Sequence, residues 1–272
     1  MSYFTTVDNC KIYYEERGTG EHLIFVHGWT ATAAFFGNQI EYFSKKYHVI
    51  AYDARGHGRS DRGEAAIHNI DIPRLAEDLR ELIEGLGLEK VNVVGWSMGT
   101  STIWAYVRAF GCLYLDKICF IDMTPKAVAD DEWKLGMLDA KETFDFLALA
   151  VRDWDKACDF FLPLALVKGA PKDSDNYRFA LAEMRGNTSQ AMIYLYLSVS
   201  AEDFRPVLRD ITVPALLAYS GNGWICTPET GEYMAQNIKN SKLVLFPGCG
   251  HGLFMDDPDK FNAELETFLT EN

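Results

Sequence analysis

Six short, almost wholly apolar runs recur along the chain, each closing on a turn. They are HLIFVHG (22–28), HVIAYDA (48–54), VNVVGWS (91–97), KICFIDM (117–123), VPALLAYSG (213–221) and KLVLFPG (242–248). A strand that is apolar on both sides of its pleat has to be covered on both faces. When helices separate such strands, they are joined by crossovers rather than hairpins, so the strands lie parallel. KIYYEER (11–17) alternates instead and reads as a further strand with one wet face.

Helices are expected near 33–45, 72–87, 98–110, 228–238 and 258–269. The clearest is IPRLAEDLRELIEGLG, with Leu75, Leu79, Leu82, Ile83 and Leu86 on one face. Pro73 suits its first turn and Gly87 its end. The alternation of strand and helix then lapses between 126 and 209. That stretch reads as successive helices, including ETFDFLALAV, KACDFFLPLALV, NYRFALAEM and QAMIYLYLSV. The expected fold class is therefore α/β, with a mostly parallel central sheet and helices on both faces. Residues 1–125 and 210–272 would form the core domain. Residues 126–209 would form a helical cap inserted after the sixth strand, over the sheet's C-terminal edge.

Composition sets the remaining bounds. At 272 residues and 48% hydrophobic, the chain can build a large core without disulfides or a structural metal. Its net charge of −13 repels polyanions, so neither nucleic acid nor an anionic membrane is an expected partner. Six cysteines, at 10, 112, 119, 158, 226 and 249, form no C-x-x-C pair and read as reduced thiols. MSYFTTVDNCK lacks the basic-then-apolar pattern of a secretory signal, and no apolar run reaches 18 residues. A cytoplasmic location is expected, and the oligomeric state stays open.

The strongest chemical signal is Gly95-Trp96-Ser97-Met98-Gly99, set between the run VNVV and a helical stretch. Glycines on either side let the chain turn sharply from strand to helix and force the serine outward at the sheet edge. The start of the following helix adds a positive field there. A serine hydroxyl needs a neighbouring base. Of the six histidines, His251 sits in a glycine-rich loop (Gly248, Gly250, Gly252) after the last strand and is the best candidate. His27 and His57 lie in turns and read as structural, while His22, His48 and His68 carry no distinguishing feature.

Taken together, these pieces resemble the α/β-hydrolase superfamily. HGW (27–29) resembles its oxyanion loop and DARGHGRSD (53–61) its D-x-R-G-x-G-x-S segment. GWSMG resembles the nucleophile elbow and GCGHGLFMDDP (248–258) the histidine loop. HGW combined with a serine followed by methionine looks like the cofactor-free haloperoxidase, perhydrolase and esterase branch. The resemblance covers the chain apart from its cap. It implies backbone N–H donors at Trp29 and Met98 for a developing oxyanion, and it implies no metal or organic cofactor.

The third catalytic member departs from the commonest family pattern, which puts an aspartate after strand seven. Here that run is Gly221-Asn222-Gly223-Trp224, with no Asp or Glu between Ile211 and Glu229. Some members place the acid after strand six, and Asp122 stands at that position. Asp122 is the expected acid. The alternatives are a turn-capping role for Asp122 and an Asn222 that orients the imidazole. Asp53, Asp256 and Asp257 read as turn or helix-start residues.

Aromatic residues, Phe160 and Phe161 among them, crowd the cap; most are expected to form its own core or its contact with the sheet domain, and a few to line the pocket. Trp29, Trp96 and Trp224 are expected to line a pocket for an apolar acyl or aromatic group. The leading expectation is a serine hydrolase of small carboxylic esters, with Ser97, His251 and Asp122 as its catalytic set. Perhydrolase or haloperoxidase activity would be a side reaction. Acyl transfer and C–C bond hydrolysis are alternatives on the same scaffold. A weakly catalytic ligand-binding or signalling homologue is the alternative from another class. Haloalkane dehalogenation is disfavoured, because its nucleophile would be an aspartate at position 97.

Overall fold

Every residue of Val91–Trp96 and of Ala215–Ser220 is buried, as strands covered on both faces require. The structure is a computed structural model and describes residues 2–165 and 171–271. In chain order the main-sheet strands are β1 (Ser2–Thr5), β2 (Lys11–Arg17), β3 (His22–Val26), β4 (His48–Tyr52), β5 (Val91–Trp96) and β6 (Leu115–Ile121). Two-residue strands β7 (Val128–Ala129) and β8 (Leu138–Asp139) pair with each other, and β9 (Ala215–Ser220) and β10 (Ser241–Phe246) complete the main sheet.

Among the described residues the main sheet runs β1-β2-β4-β3-β5-β6-β9-β10. The β1–β2 and β2–β4 pairings are antiparallel and the others parallel. β1 was not anticipated. It is four residues long at the sheet edge and alternates between partly buried and exposed positions, too brief a pattern to stand out.

From β3 the chain steps outward to β4, then returns to the other side of β3 as β5. The order reverses there, and the crossovers on the two sides diverge. In open parallel sheets the crevice beyond the strand ends at such a reversal is where ligands bind. The residues that follow β3 and β5 are His27-Gly28-Trp29 and Ser97.

The helices are α1 (Gly37–Phe43), α2 (Glu64–Ile67), α3 (Ile72–Gly85), α4 (Met98–Phe110), α5 (Ala140–Arg152), α6 (Trp154–Ala165), α7 (Asp175–Gly186), α8 (Ser189–Ala201), α9 (Pro228–Asn237), α10 (Leu253–Asp256) and α11 (Pro258–Thr270). The helix expected over 33–45 is a 3-10 turn (Ala33–Phe36) leading into α1. Asp71 caps α3 by accepting from Arg74 N–H, and Asp257 caps α11 by accepting from Lys260 N–H. All six cysteines are free thiols. No helix among the described residues is long and apolar enough to cross a membrane.

Helices α5 to α8 fall between β6 and β9 and pack on one another. α5 opens on a capping box: Asp139 accepts from Glu142 N–H while Glu142 accepts from Asp139 N–H. The expected helix KACDFFLPLALV is α6 as far as Ala165, and its last two residues, 166 and 167, lie outside the described residues. The two ends of this insertion meet where Phe204 N–H donates to Pro125 O (2.7 Å) and Lys126 bridges Asp203. Its far side reaches over the sheet. Trp29 Nε1 donates to Met192 O, Asn187 Nδ2 donates to Thr30 O, and Thr32 Oγ1 donates to Glu183.

Candidate active site

Ser97 sits between the last residue of β5 and the first of α4, at φ +54° and ψ −120°. A non-glycine residue rarely takes that conformation. Crowding explains the flanking glycines. A Cβ on Gly95 would lie 2.5 Å from Ile103 Cδ1, and one on Gly99 would lie 2.1 Å from Val26 O. Larger residues would push α4 off the sheet and open the turn. Ser97 N–H donates to Ile121 O, which ties the elbow to the end of β6.

Asp122 follows directly, also at positive φ (+47°) and fully buried. Its Oδ1 accepts from Ser220 N–H at 2.8 Å, and its Oδ2 lies 2.8 Å from His251 Nδ1. A carboxylate facing that nitrogen fixes the proton on Nδ1 and leaves Nε2 with its lone pair. His251 is 2% exposed. Its loop is braced twice: Trp96 Nε1 donates to His251 O (2.9 Å), and Gly250 N–H donates to Asp256 Oδ2 (2.8 Å). Burial raises the Asp256 carboxyl above its ordinary value, and the Gly250 N–H partly offsets this.

The loop after β3 completes the arrangement. Gly28 faces the elbow so closely that a Cβ there would lie 3.0 Å from Ser97 Cβ. Thr30, a β-branched residue, is held at φ +64°. Its N–H donates to His57 Nε2 (3.3 Å) and its hydroxyl donates to Trp29 O (2.6 Å). His27 Nε2 accepts from Ala54 N–H, so its Nδ1 carries the proton and donates to Gly28 O. Both rings are buried, and burial holds both below the ordinary histidine value. Asp53 accepts from Ala33 N–H and Arg59 N–H. Clamped this way, the Trp29 N–H has no protein acceptor among the described residues, and neither does the Met98 N–H at the start of α4.

Among the described residues five non-glycine residues have positive φ, and three of them stand in the segments that follow β3 (Thr30), β5 (Ser97) and β6 (Asp122). Each costs about 1–3 kcal/mol, and such residues gather where function demands an unusual geometry. Ser97 and His251 line one cavity of about 40 Å³, together with Trp29, Phe35, Trp96 and Met184. Among the described residues no hydrogen bond joins Ser97 Oγ to the imidazole. Such contacts are often loose in unliganded sites and tighten on a bound substrate.

The comparisons with known proteins agree with this fold. The family described as alpha/beta hydrolase fold matches residues 21–258. The chain belongs to the α/β-hydrolase family. A non-heme haloperoxidase of Rhodococcus erythropolis is 28% identical, over 99% of this chain and 99% of that protein. A bifunctional esterase/perhydrolase of Acinetobacter calcoaceticus is 26% identical, again over 99% of both chains. Among solved structures, an esterase from Exiguobacterium antarcticum superposes with a TM-score of 0.92 at 26% identity, covering 99% of each chain.

Within this α/β hydrolase, two expected positions fall away from the serine. Trp224 is 51% exposed and lines a second cavity beyond Phe161, not the serine cavity. The loop after β9 turns outward there, because a Cβ on Gly223 would strike Ser220 Oγ and the chain must pass close to it. Asn222 is exposed, and the carboxylate facing His251 is that of Asp122. The sequence reading did not single out Phe35, Phe161, Leu162, Ala180 and Met184 as cavity walls. Four of these come from α6 and α7, whose burial is visible in sequence but whose direction is not.

Proposed function

We propose that this protein is a serine hydrolase that cleaves small carboxylic esters through an acyl-enzyme. One observation carries the reading. The buried His251 Nδ1 lies 2.8 Å from the buried Asp122 carboxylate, and the same imidazole borders the cavity that holds Ser97. The alternative of a weakly catalytic binding protein draws on the lack of an acid after strand seven, and the Asp122 contact with His251 supports the enzymatic reading over it.

Ser97 Oγ attacks the ester carbonyl carbon while His251 Nε2 takes its proton. The imidazolium is stabilised by the Asp122 carboxylate, which holds the ring in the required tautomer. Electrons of the carbonyl bond move onto oxygen, and the Trp29 and Met98 N–H groups receive that charge without reorganising. His251 then passes the proton to the leaving oxygen, the C–O bond breaks and the alcohol departs. A water that gives its proton to His251 attacks the acyl group. Collapse releases the acid and restores Ser97. Hydrogen peroxide in place of water would give a peracid, the side reaction that the Acinetobacter relative's name suggests.

Residues 126–209 act in this reading as a cap on a core of 1–125 and 210–272. Trp29 and Trp96 form walls of the acyl site. The serine cavity, with room for only a few water-sized groups, favours a short acyl chain.

A fluorophosphonate probe tests the proposal. It should label the wild type and not Ser97→Ala, and Ser97→Ala should lose at least ~10⁴-fold in kcat. Ester hydrolysis that survives in Ser97→Ala ends the reading.

A further inference from the structure

The serine cavity is far smaller than an apolar chamber beside it. The two measure about 40 Å³ and about 300 Å³ and have one residue in common, Phe161. Met137, Leu138, Leu164 and Ile225 form apolar walls of the larger chamber. Phe160 and Trp224, each 51% exposed, stand at its mouth, and Tyr196 closes it toward Trp29. Among its described lining residues the one carboxylate is Glu142, which is engaged in capping α5 and leaves a negative charge at the edge. An anionic group would be repelled there, while a neutral apolar group would shed water on entering.

Phe161 stands edge-on to Trp29, with ring centroids 4.9 Å apart, and 5.5 Å from Phe146. Trp29 carries one of the N–H groups assigned above to the oxyanion. Phe161 also lines the cavity that holds Ser97, so a substituent that passes Phe161 enters beside the nucleophile.

We infer that the larger chamber is a second substrate subsite, which takes a neutral apolar arm of the ester (an aromatic ring or a branched alkyl group), and that Phe161 sets which arms reach it. This deepens the proposed function and rests on Ser97 being the nucleophile. The small cavity then holds the short side of the ester and the chamber the bulky side. Among the described lining residues, Phe161 is the one that borders both.

Two substrate series tell which side of the ester is bulky. One holds the leaving group at 4-nitrophenol and enlarges the acyl group from acetyl to phenylacetyl. The other holds the acyl group at acetyl and enlarges the alcohol from ethanol to 2-naphthol. The readout is the ratio of kcat/KM for the largest member to that for the smallest. Leu164→Trp, which fills the chamber, should lower this ratio at least tenfold in one series. Phe161→Ala, which widens the passage, should raise it at least fivefold in the same series. Ile225→Phe fills the chamber from the opposite wall and should act as Leu164→Trp does, which guards against one misfolded variant. Ratios that stay within twofold in both series, or that move the same way in the filling and widening variants, overturn the inference. Benzyl alcohol supplies a readout without turnover. Calorimetry should find saturable binding to the wild type, weakened at least tenfold in Leu164→Trp. Absence of saturable binding overturns the subsite, whereas a failure of probe labelling at Ser97 with this binding intact overturns only the proposed chemistry.

Discussion

The sheet side and the insertion side of the cavity are built from different materials. On the sheet side the working groups are polar, buried and tied by hydrogen bonds to strand ends: Asp122 to Ser220 and His251, the His251 loop to Trp96 and Asp256, and the Trp29 loop to His57 and Ala54 through His27. On the insertion side the cavity walls are apolar and aromatic: Phe146, Trp154, Phe161 and Tyr196 surround the Trp29 ring, and hydrogen bonds of Trp29, Thr30 and Thr32 with Met192, Asn187 and Glu183 hold the insertion in place around them. Hydrogen bonds fix direction and rings fix only shape. Chemistry that needs sub-ångström placement therefore belongs to the sheet, and selectivity, which tolerates repacking, belongs to the helices.

The sharpest way to break this comparison is Asp122→Asn. The amide oxygen can still accept from Ser220 N–H, which turns the amide nitrogen toward His251 Nδ1. That nitrogen donates, so the ring must take the opposite tautomer, with its proton on Nε2, where it cannot accept one from Ser97. We expect kcat to fall about 10³–10⁴-fold with KM little changed, measured on a short ester. Unchanged turnover would mean that the sheet side is less strictly organised than its hydrogen bonds imply.

What was legible in the sequence follows the same division. Buried strands announce themselves, because a run such as VNVV has no other stable use, and the turn chemistry at Gly95 and Gly99 marks where the chain must bend. The approach of Asp122 to His251 is legible only through the resemblance, since some family members place the acid after strand six and Trp224 stands where an acid is commoner. The insertion was legible as helices but not as a surface. QAMIYLYLSV is apolar on nearly every side, so α8 declares burial without aiming any face. Phe161 on α6 and Met184 on α7 are likewise apolar positions whose direction the pattern does not give, and Trp224, expected on the serine cavity, lines the chamber beside it.

A medium effect should appear in the acid stability of the sheet side. His27 and His57 are fully buried as neutral rings, with burial holding both below their ordinary value. The unfolded chain binds protons at these sites near pH 6.5, where the folded protein does not. Their stabilising contribution is therefore complete above pH 6.5 and is lost as the pH falls below it. Each ring can cost at most about 1.4 kcal/mol per pH unit, and only until the folded ring itself takes up a proton, which burial postpones further for His57 than for His27. Denaturant midpoints measured between pH 7 and pH 5 should drop accordingly, and His57→Gln should flatten the slope by up to half.

The smallest effect is expected on the outer face of the insertion. Val151 is 72% exposed on α5 and Phe144, two turns earlier on the same stripe, is 70% exposed, so neither contributes to a packed interior. Val151→Ser removes apolar surface that water already reaches. It should shift stability by less than about 0.5 kcal/mol. Turnover of short and bulky esters should stay within twofold, because α5 presents Phe146, not Val151, to Trp29. The opposite face of the same helix sharpens the point. Phe146→Ala removes a buried ring that touches Trp29, Phe161 and Tyr196. It should destabilise by about 3–5 kcal/mol, so two positions five residues apart would differ by roughly tenfold in their cost. If both substitutions proved equally mild in chemical denaturation, the insertion would not be packed on Trp29 in solution, and its part in choosing substrates would go with that contact.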